Sequence, residues 1–203
     1  MPGHKASEDA RRRQIIRAAY EIASRAGLAG LTVRRVAARA GLSTGLVLFH
    51  FTNKERLVVA LLDRVLETTT VLHVTSAIAA IPSPLDRLLA LLTQEMNRLS
   101  SEPRRLRLFF DFWAMGLTQP LIRRRMQAEL DRYREALRPI AAEVLAAEPE
   151  RFGGVTPDGL AAVAVSVIKG CAVQSMIDPA NFDIDEFLAA TNGLMGQLAP
   201  AVN

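Results

Sequence analysis

The sequence predicts an all-α protein of about nine helices. Apolar residues recur at spacings of three and four along most of the 203 residues, which is the period of a helix with one buried face. Ser or Thr followed by Pro stands at two expected helix starts, Ser83-Pro84 and Thr156-Pro157. No segment alternates cleanly between apolar and polar residues, so we predict no sheet. Half of the residues are apolar, which is enough for a substantial core.

Each predicted helix has a local signal at one end or both. Thr32 and Ser43 are suited to capping two short helices, and Gly27 and Gly41 are suited to ending the helices before them. Thr52-Asn53-Lys54-Glu55 matches a capping box that opens a longer helix. Pro139 is expected to kink the longest helix. The expected helices cover about 15–26, 33–40, 44–51, 53–73, 84–99, 103–116, 121–147, 160–177 and 183–198.

The charge is unevenly distributed. Residues 1–56 contain eleven Lys and Arg against four acids, a net charge of +7, whereas residues 57–203 have a net charge of −3. A basic head on a mildly acidic body favours a polyanionic partner for the head, although a solvated arginine-rich face is also possible. We therefore predict an N-terminal domain over 1–56 and a C-terminal domain over 57–203.

The stretch Gly41-Leu42-Ser43-Thr44-Gly45 fits two motifs. It matches G-x-S-x-G, the turn that carries the serine of many hydrolases, with Asp63 and His73 as the candidate partners. That motif needs a strand before the serine, but the preceding VRRVAARAG has helical period. The same stretch also fits the turn of a helix-turn-helix pair, in which Gly41 tolerates positive φ and Ser43 caps the second helix. The neighbouring residues favour the helix pair.

Residues 32–55 strongly resemble the DNA-binding head of the TetR (tetracycline repressor) family. The resemblance lies in T-x-R-x-[VI]-A, A-G-x-S, G-x-[VIL] and H-F-x-x-K-E at fixed spacing. The C-terminal part more loosely resembles the BetI-like subgroup, through GLTQPLIRRRM and VIKGCAVQSMIDPANFDIDEFL. The family implies a homodimeric regulator, most often a repressor, that binds a palindromic operator and is released by a small molecule.

The resemblance also implies a set of DNA contacts. Helix N-termini and basic side chains would meet phosphates, and the outer face of the second helix would meet bases. Where the family usually has tyrosine, this chain has Leu48 or Phe49, which offer only apolar contact, for example with a thymine methyl. One of the two could instead pack back on the first helix. The predicted DNA-binding residues are Thr32, Arg34, Ser43, Thr44, Gly45, Leu46, Leu48, Phe49, His50 and Lys54. The segment Lys5, Arg11, Arg12 and Arg13 could add contacts in an adjacent groove or simply be solvated.

The last two predicted helices suggest the dimer interface. The helix over 160–177 is apolar nearly all round, which predicts burial on both sides, with a partner on one of them. Two helices from each chain would form a four-helix interface. The predicted interface residues are Leu160, Val165, Ile168, Ala172, Phe187, Leu194 and Met195.

The middle helices suggest the sensor. Aromatic and methionine side chains crowd there, and such a stripe forms either a core or a pocket. The predicted ligand-binding residues are Met96, Phe109, Phe110, Trp113, Met126, Tyr133 and Gln174. We expect no cofactor and no metal, because the sequence has neither a cofactor motif nor a metal-ligand cluster.

The leading hypothesis is therefore a DNA-binding regulator with a small-molecule effector and no enzymatic activity. The alternatives are a helical small-molecule-binding protein or enzyme that uses the C-terminal bundle, and a DNA binder with a filled, non-sensing core. The apolar runs at 57–62 and 160–165 are too short to cross a bilayer, and the single Cys171 rules out an internal disulfide. We therefore expect a cytoplasmic protein without a membrane partner.

Overall fold

The computed structural model describes residues 7–69 and 74–197, and every regular element within them is a helix, which confirms the all-α prediction. The helices are α1 Glu8–Ala26, α2 Val33–Ala40, α3 Thr44–Phe51, α4 Lys54–Thr69, α5 Ser76–Ala79, α6 Pro84–Ser100, α7 Pro103–Gly116, α8 Pro120–Ala147, α9 Pro157–Ile177 and α10 Ile184–Gln197. The one-turn α5 was not predicted, and Leu28–Gly30 forms a 3₁₀ turn. His73 lies outside the described residues.

Local side-chain chemistry sets most helix starts. Six hydroxyl side chains accept a hydrogen bond from the backbone N–H three residues later, which satisfies a donor that has no partner within the helix. These caps are Ser7, Thr32, Ser43, Thr75, Ser83 and Thr156. Pro84 and Pro157 occupy the first positions of α6 and α9, where a missing N–H costs nothing.

The capping box expected at Thr52 does not form. Asn53 is the cap of α4, because its Oδ1 accepts from the N–H of Arg56 at 2.8 Å. Thr52 instead adopts φ 62° and ψ −49°, and the N–H of Asn53 donates to the carbonyl of Phe51 at 2.6 Å. These values describe a tight γ-turn, which reverses the chain between α3 and α4 at the cost of a strained threonine.

The chain divides into two compact units. Unit 1 comprises, among the described residues, 7–69 and 104–127, and unit 2 comprises 74–103 and 128–197. The described part of the predicted head, residues 7–56, therefore packs in one unit with α4 and most of α7. The functional boundary at residue 56 remains a prediction, because a packing division does not test function.

Unit 1 has one continuous apolar core. α1 packs against α2 and α4, and α3 packs against α2 and α4. Residues from each of these helices are buried together with residues of α7 and the start of α8. The largest fully buried members are Ile15, Leu31, Leu57, Leu61, Leu62, Phe109 and Phe112.

Unit 2 is a helical bundle in which α9 packs against α6 and α10. Ion pairs join α6 to α8 through Arg87 and Glu143, and α8 to α9 through Arg138 and Asp158. α8 continues through Pro139 as one helix. One described helix, α9, is long and apolar enough to cross a membrane, with a mean hydropathy of 1.8. It is also partly buried inside unit 2, and the core helix of a water-soluble protein passes the same test.

Candidate DNA-binding surface and buried charged cluster

A Schellman motif ends α2 and sets the turn to α3. Gly41 adopts φ 67° and ψ 34°, the left-handed conformation that glycine adopts without steric cost. The N–H of Leu42 donates to the carbonyl of Ala37 at 2.9 Å, and the N–H of Gly41 donates to that of Ala38 at 3.2 Å. The chain therefore leaves α2 within two residues, and Ser43 starts the next helix.

α3 has one buried and one exposed face. Val47 and Phe51, four residues apart, are buried in the core of unit 1. Leu48 is 39% exposed and Phe49 is 78% exposed, so neither packs back fully on the first helix of the pair. Exposing an aromatic ring in water is unfavourable unless a partner covers it. This outer face is therefore the candidate contact surface.

Most of the predicted DNA-binding residues are accessible. Leu46 and His50 are half-buried, and the other eight are exposed: Thr32, Arg34, Ser43, Thr44, Gly45, Leu48, Phe49 and Lys54. Thr32 and Ser43 cap α2 and α3, so the exposed start of each helix presents backbone N–H groups, which suit phosphate oxygens. Their role in DNA binding remains a prediction.

α1 caps the C-terminal ends of both helices of the pair. Arg12 Nη1 donates to the carbonyl of His50 at 2.5 Å, and its guanidinium lies 4.5 Å from the centroid of the Phe51 ring. Gln14 Nε2 donates to the carbonyl of Ala40 at 2.8 Å. These carbonyls have no partner within their own helices, so the side chains supply it. Arg12 is thus engaged with α3, whereas Arg13 is exposed and Lys5 lies outside the described residues.

The predicted ligand-binding residues belong to both compact units, and their role in ligand binding remains a prediction. Phe109 and Met126 are buried in the core of unit 1, and Phe110 and Trp113 pack against that core. Met96 and Tyr133 are buried in unit 2, while Gln174 is exposed on α9. The aromatic stripe of α7 thus belongs to the packing that holds the helix pair.

The predicted interface residues fall on both faces of their helices. Leu160, Val165, Ile168 and Ala172 are buried within the single chain, and their place in a dimer interface remains a prediction. The outward face of α9 contains different residues, of which Val163 is 51% exposed and Ile177 is exposed. On α10, Leu194 is exposed, Phe187 is half-buried, and the side chain of Met195 lies outside the described residues.

Unit 2 buries a cluster of charged side chains, of which Lys169 stands out in the sequence as a polar residue near an apolar face, whereas Glu95 and Glu129 were not predicted. Glu95 on α6 is 1% exposed, Glu129 on α8 is 2% exposed, and Lys169 on α9 is 7% exposed. Tyr133 donates its hydroxyl hydrogen to Glu95, and the ammonium of Lys169 lies 4.3 Å from the centroid of the Tyr133 ring. Arg98 donates two hydrogen bonds to Glu95, from Nε at 2.8 Å and from Nη2 at 2.5 Å.

Burial shifts the pKa values of this cluster. Desolvation lowers the pKa of Lys169 to about 8, against the opposing pull of Glu95 and Glu129. Desolvation also raises the pKa of Glu129, more than the bond from Arg132 lowers it. Titratable groups whose pKa values are shifted by burial are frequent at binding sites. Among the described residues, no group of three or more His, Cys, Asp or Glu side chains is placed to hold a metal ion.

A sequence signal for this cluster did exist. On α8, Glu129 stands at the core position between Met126 and Tyr133, and on α6, Glu95 stands between Leu92 and Leu99. A glutamate at the apolar phase of a helix is unusual, because a buried charge needs compensation. By contrast, no local signal predicts that Arg12 caps α3, since the two are joined only in the tertiary structure.

Two short helices joined by a tight turn, with the second exposing an apolar outer face, define a helix-turn-helix protein of the DNA-binding class. The family comparisons agree. The chain belongs to the TetR family of bacterial regulatory proteins, which matches residues 15–61, with a BetI-type transcriptional repressor C-terminal domain over residues 84–199. It is thus a transcriptional regulator.

Curated relatives are BetI regulators. The chain is 28% identical to the HTH-type transcriptional regulator BetI of Burkholderia mallei over 193 residues, which is 95% of each chain. It is 30% identical to BetI of Stenotrophomonas maltophilia over 124 residues, which is 61% of this chain and 63% of the relative, just under two thirds of the relative's length.

Solved structures share the fold. A transcriptional regulator from Rhodococcus sp. Rha1 superposes with a TM-score of 0.68 at 21% identity, covering 92% of this chain and 95% of that one. A regulator from Saccharomonospora viridis in complex with choline superposes with a TM-score of 0.68 at 17% identity, with the same coverage. At these identities the likeness establishes the fold alone.

The contact of Arg12 with α3 can be tested in the absence of DNA. Arg12→Ala removes the cap of the His50 carbonyl, and a lost hydrogen bond that is partly exposed to water costs about 1 kcal/mol. We expect backbone amides of α3 to exchange with deuterium about fivefold faster in the free protein. Arg13→Ala, the exposed neighbour, is the control and should leave exchange unchanged. Equal exchange in both variants would mean that Arg12 does not hold α3.

The lowered pKa of Lys169 predicts a pH dependence of stability. Between about pH 8 and its unfolded pKa, the native protein has lost the Lys169 proton and the unfolded chain retains it. The free energy of unfolding therefore rises with pH through this window, by on the order of 3 kcal/mol at most. Lys169→Met should lack this rise in urea titrations from pH 7 to 10. Lys54→Met, at an exposed lysine, should retain it, and parallel curves for wild type and Lys169→Met would contradict the assignment.

Proposed function

We propose that this regulator is a homodimeric cytoplasmic repressor that binds a palindromic operator in double-stranded DNA through α3. A small-molecule effector bound in unit 2 releases it. The observation that carries the DNA-binding part is the outer face of α3, where Leu48 and Phe49 are exposed on a helix whose other face is fixed in the core.

The chemistry of this face supports base contact. Leu48 and Phe49 have no side-chain hydrogen-bond donor, so they suit the thymine methyl group, the main apolar feature of the major groove. Arg34 and Lys54 are exposed on the neighbouring helices and suit phosphates, which fix the register of the protein on DNA. Apolar base contacts would then specify the sequence, and basic side chains would supply most of the affinity.

Homodimerisation would place two copies of α3 in successive major grooves, about 34 Å apart. The outward face of α9 supports it, since this face combines small and apolar residues. Val163 and Ile177 are exposed there, and Val167 and Gly170 are half-buried between them. Small residues allow two helices to approach closely, and α10 with exposed Leu194 would complete a four-helix interface.

An effector can release the operator only if it binds the DNA-free form of the chain more tightly than the operator-bound form. Unit 2 supports a sensor role because it contains the buried charged cluster. Met96 and Tyr133, two of the predicted ligand-binding residues, lie in the same unit. Choline is bound by the Saccharomonospora viridis neighbour, which supports a small organic effector here.

The proposed base contact predicts a response to a single methyl group. The full chain first selects a binding duplex from a random pool. Each thymine of a half-site is then replaced in turn by deoxyuridine, which removes only the methyl group. At the thymine under Phe49, wild type should lose about fourfold in affinity per half-site, the value of one buried methyl group. Phe49→Ala should be insensitive to that replacement.

The control is Leu117→Ala, which truncates another exposed apolar side chain outside the helix pair. It should behave as wild type on every duplex. If wild type ignores all the deoxyuridine replacements, or if Phe49→Ala remains as sensitive as wild type at each position, Phe49 does not read thymine. Failure of the full chain to enrich any duplex would contradict the DNA-binding function itself.

The dimer face of α9 predicts opposite outcomes at two valines two residues apart. Val163→Glu places a charge on a 51% exposed position, so the chain should fold but sediment as a monomer with at least tenfold weaker operator binding. Val165→Glu places a charge where the side chain is 4% exposed, so this variant should unfold. A Val163→Glu protein that remains dimeric at wild-type concentrations would exclude this face.

A further inference from the structure

The two buried glutamates of unit 2 differ in how their oxygens are satisfied. Both oxygens of Glu95 accept charged hydrogen bonds from Arg98, and Oε1 also accepts from Tyr133. Glu95 and Arg98 therefore form an ion pair in which both carboxylate oxygens are hydrogen-bonded, and an ion pair of this kind tolerates burial.

Glu129 is satisfied on one side only. Its Oε2 accepts from Arg132, which stands one turn later on the same helix and is largely exposed to water. Its Oε1 is buried, and no donor among the described residues reaches it. Arg132 therefore satisfies Oε2 and leaves Oε1 as the buried acceptor without a donor.

A buried carboxylate oxygen without a donor is costly, because the desolvation of a charged acceptor is not repaid. Arg132 is partly screened by solvent and offsets only part of this cost, because the pKa of Glu129 remains raised by desolvation. The ammonium of Lys169 on α9 lies 4.3 Å from the centroid of the Tyr133 ring and lowers the pKa of Glu129 through its charge, but Glu129 Oε1 accepts no hydrogen bond from it. Glu129 thus keeps one acceptor oxygen that a hydrogen-bond donor of a bound ligand can satisfy.

We propose that Glu129 Oε1 is the recognition group for the effector, and that the effector is a small protonated amine with at least one N–H donor. A charged N–H group satisfies both needs of Glu129, a hydrogen bond and a positive charge. A hydroxyl group would supply only the first, and a quaternary ammonium only the second. This inference rests on the proposed function, since it names the effector class of that sensor unit.

Lys169 gives the site a way to accept the added positive charge. It faces Glu95 and Arg98 of α6 and Glu129 and Tyr133 of α8, and its burial makes it readier than an ordinary lysine to lose its proton. An ammonium bound beside Glu129 reduces the electrostatic stabilisation that Glu129 gives to the protonated form of Lys169. The bound amine then replaces that charge, and Lys169 releases its proton to solvent.

The test uses three matched pairs of amines that differ only in N-methylation. The pairs are ethanolamine and choline, 2-phenylethylamine and its N,N,N-trimethyl derivative, and 1,4-diaminobutane and its hexamethyl derivative. Binding to the full chain is measured by calorimetry, and release from the selected duplex is measured by fluorescence anisotropy. In at least one pair, the primary amine should bind at least tenfold more tightly than its quaternary partner and release DNA over the same concentration range.

Two variants separate recognition from folding. Glu129→Gln keeps the shape but removes the charge, and it should weaken the preferred amine at least tenfold while operator binding without amine stays at the wild-type level. Lys169→Met removes the competing charge, and it should bind that amine at least as tightly as wild type. Circular dichroism checks that both fold.

The inference is overturned if no pair favours the primary amine, if Glu129→Gln binds the amine as wild type does, or if Lys169→Met binds it more weakly. Operator binding in the absence of amine distinguishes the two levels of the account. A chain that binds its operator but no amine refutes the effector class alone. If the chain binds amine but no DNA, the proposed function is refuted and the amine-binding site at Glu129 is retained.

Discussion

α3 has only eight residues, and a helix of this length is not stable in water by itself. Its conformation therefore depends on what holds it: Ser43 at its start, Arg12 at its end, and the burial of Val47 and Phe51 in between. These contacts leave the opposite face free for a partner. The arrangement of unit 1 follows from this requirement, because α1, α2 and α4 supply the surfaces against which α3 is ordered.

Unit 2 shows a different balance of forces. It is an apolar bundle that nevertheless buries two carboxylates and an ammonium, and buried charges of this kind contribute less stability than apolar side chains of the same size. Glu95 is compensated by Arg98 within the chain, whereas Glu129 is compensated only in part. An apolar residue at position 129 would stabilise the core more than Glu129 does, so the presence of Glu129 favours a binding role.

The sequence predicts the fold well where the cause is local. Thr32, Ser43 and Gly41 act as expected, because caps and left-handed turns depend on neighbouring backbone groups. Where the cause is tertiary, the sequence leaves the surroundings of a residue undetermined. Residues on every side of α9 are apolar, so helical phase alone could not tell buried Val165 from exposed Val163. The Phe109 stripe belongs to the core of unit 1, a partner that periodicity cannot identify.

The central claim is that two copies of this chain present α3 to successive major grooves of one operator. A hydroxyl-radical footprint of the full chain on the selected duplex tests it most directly. The account predicts two equal protected patches related by a dyad, with centres about one helical turn, or roughly 34 Å, apart. A single protected patch, or uniform protection without a dyad, would contradict the claim.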